Sequence, residues 1–341
     1  MKCITRAALA ASISAMLATG SAMAADVELK LSHFLPSVHG LQTEILEPWA
    51  KALDEKTATS VEVEIFSAGS SFGNIARQLD QVQAGVIDIA VGLAAVPRDR
   101  LPRTELVDMP LMAENRSALN KAVWDITADH LSRDYKGLKL LGFFNDCAVL
   151  HARDKELDSL AALEGMRVRV PSVLGAKMLS AVGAIPVTMP SPEVYENMEK
   201  GVIDGVITVW DFISTLKFHE VTKSHLDNVA VCGTMWFAMN ERKYDSLPED
   251  VRAAIDELSG QTLIDSLDPL YEQWEAAGKA AATDAGHKIY KLSPDEQARW
   301  ATLVEPIIEE RLKEVEAMGV SDIREAYSAL TEAIARREGE N

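Results

Sequence analysis

The sequence predicts an α/β protein of two similar lobes with a cleft between them. Three observations carry that reading. Strand patterns of period two alternate with helical patterns of period 3.6 over residues 27–209, the order that produces a largely parallel sheet with helices on its faces. The turn Gly85-Val86-Ile87-Asp88 recurs as Gly201-Val202-Ile203-Asp204, each time after a helix and before an apolar strand. Length is the third. The chain has 341 residues, and the roughly 315 that follow an N-terminal leader are too many for one compact core.

The elements follow in order. Val27–Ser32 (VELKLS) and Val61–Phe66 (VEVEIF) alternate apolar and polar residues as half-buried strands do, with a helix over 41–56 between them. Ala68-Gly69-Ser70-Ser71 breaks the second strand; a helix over 74–84 ends at Gly85, and a strand over 87–91 follows. Glycine closes such a helix in the left-handed conformation, and aspartate suits the turn into the next strand. Strands are then expected over 138–144, 166–170, 185–189 and 205–209, with helices over 173–182 and 192–200. Residues 228–239 form a long apolar run that fits a strand crossing between the lobes. From Pro248 onward, 248–285, 293–318 and 322–337 carry Ala, Leu, Glu and Asp at helical spacing. Without sustained heptads these are long helices packed across both lobes, not a coiled coil. The expected division is 26–146 with about 233–275 as one lobe, and 147–232 with about 276–341 as the other.

The first residues have the form of a secretory leader. Lys2 and Arg6 precede a small, apolar stretch, and Ala22-Met23-Ala24 supplies the small-x-small pattern of a signal-peptidase site. The stretch is shorter than the roughly 20 apolar residues that span a bilayer. Residues 1–24 are therefore expected to be removed, leaving a soluble, exported chain in the periplasm. Acidic residues number 52 against 34 basic ones, a net charge of −18, and loss of the leader takes it to about −20. Such a chain lacks the basic surface that nucleic acid or anionic lipid requires. An acidic protein that takes up an anion does so through a buried, local cation, because the distant surface is screened over about 8 Å at physiological salt. Cys147 and Cys232 each sit in an apolar run and read as two buried free thiols, with a disulfide as the alternative that export permits.

No motif asks for catalysis. There is no Gly-x-Ser-x-Gly elbow, no phosphate loop ending in Gly-Lys-Ser/Thr and no His-Glu-x-x-His pair. His33 and His39 are six apart, as are His219 and His225, a spacing that places no two ligands on one helical face. The seven histidines read as surface or packing residues, and no cofactor or metal is expected.

Three segments carry a family resemblance: LEGMRVRVP (163–171), AVGAIPVTMP (181–190) and PEVYENMEKGVIDG (192–205). Together with LDQVQAGVID (79–88), LVDMPLM (106–112) and NERKYDSLPED (240–250), they resemble the substrate-binding proteins of tripartite ATP-independent periplasmic (TRAP) transporters, the DctP-like family. The resemblance runs from about residue 27 to 311 and is most specific from Arg169 to Gly205. It implies a periplasmic binding protein fold, with two hinged α/β lobes, a long bracing helix and a ligand cleft between the lobes. It also implies a partner, a membrane permease of small and large subunits driven by an ion gradient. Its selectivity hallmark is an arginine in the Arg-Val-Pro strand that grips a ligand carboxylate; here that residue is Arg169. The chemistry agrees, since guanidinium is a planar fork that meets a carboxylate with two parallel hydrogen bonds, and strand ends face the cleft in α/β sheets.

Departures from the family pattern bear on the ligand. Val149 stands where many members carry a second arginine, and Thr208 where many carry an asparagine. A valine cannot satisfy a second buried carboxylate, and an unpaired buried charge costs several kcal/mol. The expected ligand is a monocarboxylate with an aromatic or apolar body, such as a benzoate-like or 2-oxo acid. Trp210 follows the 205–209 strand and could stack on a flat ligand or fill the lobe core. Asp211 could bind a ligand hydroxyl or, the safer reading, cap a helix starting at Phe212. Trp236 aligns with an aromatic or apolar family position near the crossover strands, where core packing is an equal reading, Ser191 with a cleft position, and His33 and Phe34 end the first strand. The rival readings are a sugar acid or C4-dicarboxylate ligand on the same scaffold, or an exported enzyme or sensor module.

Overall fold

The computed structural model describes residues 26–190 and 193–340; the expected leader and Ser191 lie outside them. Among the described residues nine strands form one sheet: β1 (Val27–Ser32), β2 (Val61–Phe66), β3 (Ile89–Leu93), β4 (Leu138–Ala152), β5 (Arg167–Arg169), β6 (Ile185–Val187), β7 (Gly205–Thr208), β8 (Ser224–Asn240) and β9 (Lys288–Tyr290). Their order is β2-β1-β3-β8-β4-β7-β5-β6, with β9 paired to β8. Two long strands, β4 of 15 residues and β8 of 17, run antiparallel to one another through the middle. The parallel trio β2-β1-β3 joins β8 at Leu93↔Met235 through Ile89↔Met239. The parallel trio β7-β5-β6 joins β4 at the opposite end, over Val149↔Thr208 through Ala152↔Gly205. That crossover makes two lobes out of one sheet, lobe I around β1–β3 and lobe II around β5–β7. The crossing strand expected over 228–239 is β8.

The largest apolar cluster runs across both lobes, joining Val82 and Ala90 through Trp236 to Val168 and Met178, and two further clusters lie one in each lobe. In lobe I, Leu29, Leu31, Trp49, Phe144 and Phe237 form one cluster; in lobe II, Val149, Val194, Met198, Val206, Trp210 and Ile213 form another. The 24-residue helix Gln261–Asp284 contributes Leu263, Leu267 and Tyr271 to the lobe I cluster and Ala282 to the lobe II cluster. It is the expected brace. Where it passes from one lobe to the other, Gly278 lies against the main chain of Trp210, and a Cβ at that position would overlap the Trp210 carbonyl oxygen. Gly278→Ala is expected to lower the unfolding free energy by about 1–3 kcal/mol, the usual cost of overpacking. Urea unfolding checks this, and an unchanged midpoint would mean that the helix does not approach so closely.

The repeated turn is a structural repeat. Gly85 and Gly201 both close helices in the left-handed region, with φ of 72° and 69°. Asp88 then accepts the Lys30 N–H at 2.8 Å and donates its own N–H to the Lys30 carbonyl at 3.0 Å. Asp204 does the same with Arg167, at 2.9 and 2.8 Å. Each aspartate thus fastens the start of a strand to its parallel neighbour, once per lobe.

The expectation of two free thiols is corrected. Cys147 and Cys232 form a disulfide, because β4 and β8 pair in a register that sets them directly opposite each other. Each cysteine alone, in its apolar run, gives no sign of that register.

Candidate functional site

Arg169 is the last residue of β5 and only 9% exposed. Its Nε donates to the Met189 carbonyl at 3.3 Å, and burial lowers its pKa, the direction expected of a desolvated cation. Arg167, two residues earlier, is partly exposed and clamped on Asp204, with contacts of 2.9 Å (Nε–Oδ2) and 2.6 Å (Nη2–Oδ1). The strand therefore carries one arginine committed to a structural clasp and one that is buried. Register relates Arg169 to its neighbours. It stands opposite Val206 on β7, and Thr208, two residues on, stands opposite Val149 on β4. Residues opposite each other, and residues two apart, share a face of a sheet. Arg169, Thr208 and Val149 therefore lie on one face of lobe II, Thr208 and Val149 both buried.

The other expected residues are placed as follows. His33 is fully buried, accepting the Leu35 N–H at Nδ1 and reaching Gln42 Oε1 at 2.9 Å through Nε2; Phe34 beside it is half-buried. Trp236 is fully buried, packed where a Cβ on Gly92 would overlap its ring, and edge-on to Tyr135. The reading of Asp211 as a cap is corrected: the short helix begins at Asp211 itself, Trp210 occupies the cap position, and no side-chain cap bond forms. Asp211 is half-buried, its pKa raised by burial first and by the charge of Glu44 from lobe I. Trp210 is enclosed, with its Nε1–H on Asp227 Oδ1 at 2.8 Å and the rings of His151 and His225 each 4.9 Å away.

Sequence reasoning missed two groupings. A cavity of about 450 Å³ lies between the strand crossing and the bracing helix, walled in part by Val149, Trp210, Asp211, Arg116, Asp146 and Tyr271. Arg169 is not among its lining residues. Arg116 sits over the Tyr271 ring at 4.5 Å, within 3.6 Å of Asp146 and 3.5 Å of Glu275. The second grouping is a chain of three histidines. His151 Nε2 meets the Thr208 carbonyl at 3.2 Å, His151 Nδ1 meets His225 Nδ1 at 2.7 Å, and His225 Nε2 meets His287 Nδ1 at 3.1 Å. A carbonyl only accepts, so His151 carries its proton on Nε2, His225 must donate from Nδ1, and His287 must donate from Nδ1. One carbonyl at the end of β7 thus sets three tautomers. Burial holds His151 down to about 3, and burial together with the other two rings holds His225 down to about 2.

Two hinged lobes, a brace, and a buried guanidinium at a strand end define a solute-binding protein of the two-lobed type. The model of the bacterial extracellular solute-binding proteins, family 7 (DctP), matches residues 31–314, and the chain belongs to that family. It is similar to a marine-metagenome TRAP solute-binding protein specific for aromatic acid ligands, solved with 3-hydroxybenzoate: 28% identity, TM-score 0.82, 92% of this chain and 99% of that one. It is also similar to a TRAP solute-binding protein of Rhodoferax ferrireducens solved with benzoate: 27% identity, TM-score 0.79, 92% and 98% covered. The C4-dicarboxylate-binding periplasmic protein DctP of Rhodobacter capsulatus is 25% identical over 281 residues, 80% of this chain and 83% of the relative. Proteins of this family bind small molecules outside the cytoplasm and work with membrane permease components. Among the described residues no helix is long and apolar enough to cross a membrane.

Proposed function

We propose that this chain is the periplasmic binding component of a TRAP transporter, and that it captures a small organic monocarboxylate with an aromatic or apolar body. It delivers that ligand to the permease without transforming it. The observation that carries the reading is Arg169, a cation withdrawn from water at the end of β5 with the uncharged Val149 on the same face of the lobe. A guanidinium so placed suits one carboxylate in bidentate contact, and valine gives a second none. The aromatic acids held by the two similar structures support the same choice. In this reading 26–146 with about 233–275 moves as lobe I and 147–232 with about 276–341 as lobe II. On the same reading Thr208, Trp210 and Asp211 stand at the lobe II edge of the cleft and the half-buried Phe34 at the lobe I edge, with His33 buried at the end of β1.

The C4-dicarboxylate reading rests on the Rhodobacter capsulatus relative and is separable by experiment. A ligand at a hundred times its Kd adds about 2.7 kcal/mol to the stability of the form that binds it. In a thermal-shift panel, benzoate, 3-hydroxybenzoate and simple 2-oxo acids are expected to raise Tm, with succinate and glucuronate inert. The reverse pattern would refute the monocarboxylate assignment while leaving the family intact.

A further inference from the structure

The disulfide occupies a particular place in the sheet. Lobe I ends at the rung Leu93↔Met235 and lobe II begins at the rung Val149↔Thr208. Between them, among the described residues, the ladder pairs β4 and β8 only with each other, at Asn145↔Thr234, Asp146↔Gly233, Cys147↔Cys232 and Ala148↔Val231, with one further backbone bond from the Ala94 N–H to the Thr234 carbonyl at 2.8 Å. This short ribbon is the sheet's whole connection between the lobes. Two-stranded ribbons twist more than wider sheets and are weakly stable by themselves, so an untied connection of this kind would let the lobes turn about its length.

Two of the rungs are tied through their side chains. Thr234 Oγ1 donates to Asn145 Oδ1 at 2.7 Å, while Asn145 Nδ2 donates to Asn120 Oδ1 at 2.8 Å, all of it buried. Cys147 and Cys232 are joined covalently. Immediately beyond, on the lobe II side, the register jumps from Ala148↔Val231 to Leu150↔Leu226, and residues 227–230 of β8 stand outside the ladder. We propose that the disulfide converts the connecting ribbon into a stiff post and confines lobe rotation to the irregular stretch at its lobe II end, 227–230 against Ala148–Val149. The device narrows the set of open conformations, so that the lobes close along one path.

The test measures lobe orientation without ligand, so its outcome is independent of the carboxylate reading. Nitroxides are attached through thioether links to Lys51→Cys and Lys200→Cys, exposed positions in lobes I and II. Their distance distribution is read by pulsed electron–electron resonance. With the native disulfide the distribution is narrow. Cys147→Ala with Cys232→Val keeps an apolar pair at the rung but removes the bond, and its distribution is expected to lose that narrow form. The native-cysteine chain, reduced by dithiothreitol and checked for fold by circular dichroism, is expected to broaden in the same way. Widths that match the oxidised chain in both preparations would overturn the proposal.

Discussion

Arg169→Ala is expected to remove carboxylate binding while leaving a folded chain. Truncating one partner of a buried, hydrogen-bonded charge pair costs about 2–5 kcal/mol, or about 30-fold to several-thousand-fold in Kd. The fold should survive, because Arg169 is at the end of a three-residue strand whose pairing with β6 and β7 is made by main chain. Arg169→Lys keeps the charge and loses the fork, so it should bind between the two extremes. Calorimetric titration with 3-hydroxybenzoate checks the series. Native affinity in Arg169→Ala would remove this residue from the site. Val149→Arg is the complementary change. It restores a second cation on the same face and should shift preference toward a dicarboxylate.

The second large effect is acid destabilisation through the buried histidines. An unfolded histidine takes a proton near pH 6.5, whereas burial holds His151 down to about 3 and His225 to about 2 in the fold. Their folded values are depressed, so their full contribution to stability is present above about pH 6.5 and is lost as pH falls toward 3. Each should cost about 1.4 kcal/mol per pH unit within that window. The groups around the chain are His287 at its outer end, Lys279 over the Trp210 ring, Asp227 on the Trp210 nitrogen, and His219 and Lys223 near His287. A glutamine at 151 can donate to the Thr208 carbonyl and accept from His225, with no group to titrate. His151→Gln should therefore unfold with a shallower pH dependence between pH 6 and 4, by about 1.4 kcal/mol per unit. Equal slopes in urea titrations of the two proteins would contradict the buried relay.

Local pattern was legible in the sequence and long-range register was not. β1 and β2 alternate so cleanly that their bounds were readable to the residue, Val27–Ser32 and Val61–Phe66. The Gly-Val-Ile-Asp echo pointed to a duplicated turn, and the structure supplies its cause in the two strand-start clasps. The strand expected over 138–144 continues to Ala152, because Asn145 and Asp146, polar enough to suggest an end, lie in the crossing ribbon. The helix Arg116–Asp125 was not anticipated; its sequence, RSALNKAVWD, mixes charge and small residues without a clear stripe. The disulfide and the histidine chain join residues 85, 74 and 62 positions apart, and each residue alone carries no sign of its partner. Among candidate site residues, Arg169 stood out because its motif is local. Arg116 did not, since its setting against Tyr271 arises only when the bracing helix packs on the crossing strands.

A structure of the chain with 3-hydroxybenzoate bound tests the central claim most directly. The account predicts both carboxylate oxygens on the Arg169 guanidinium at about 2.7–2.9 Å, the distance of a charge-assisted hydrogen bond, with the ring directed toward Val149. A carboxylate seated elsewhere, for instance against Arg116 in the cavity beside the bracing helix, would contradict it.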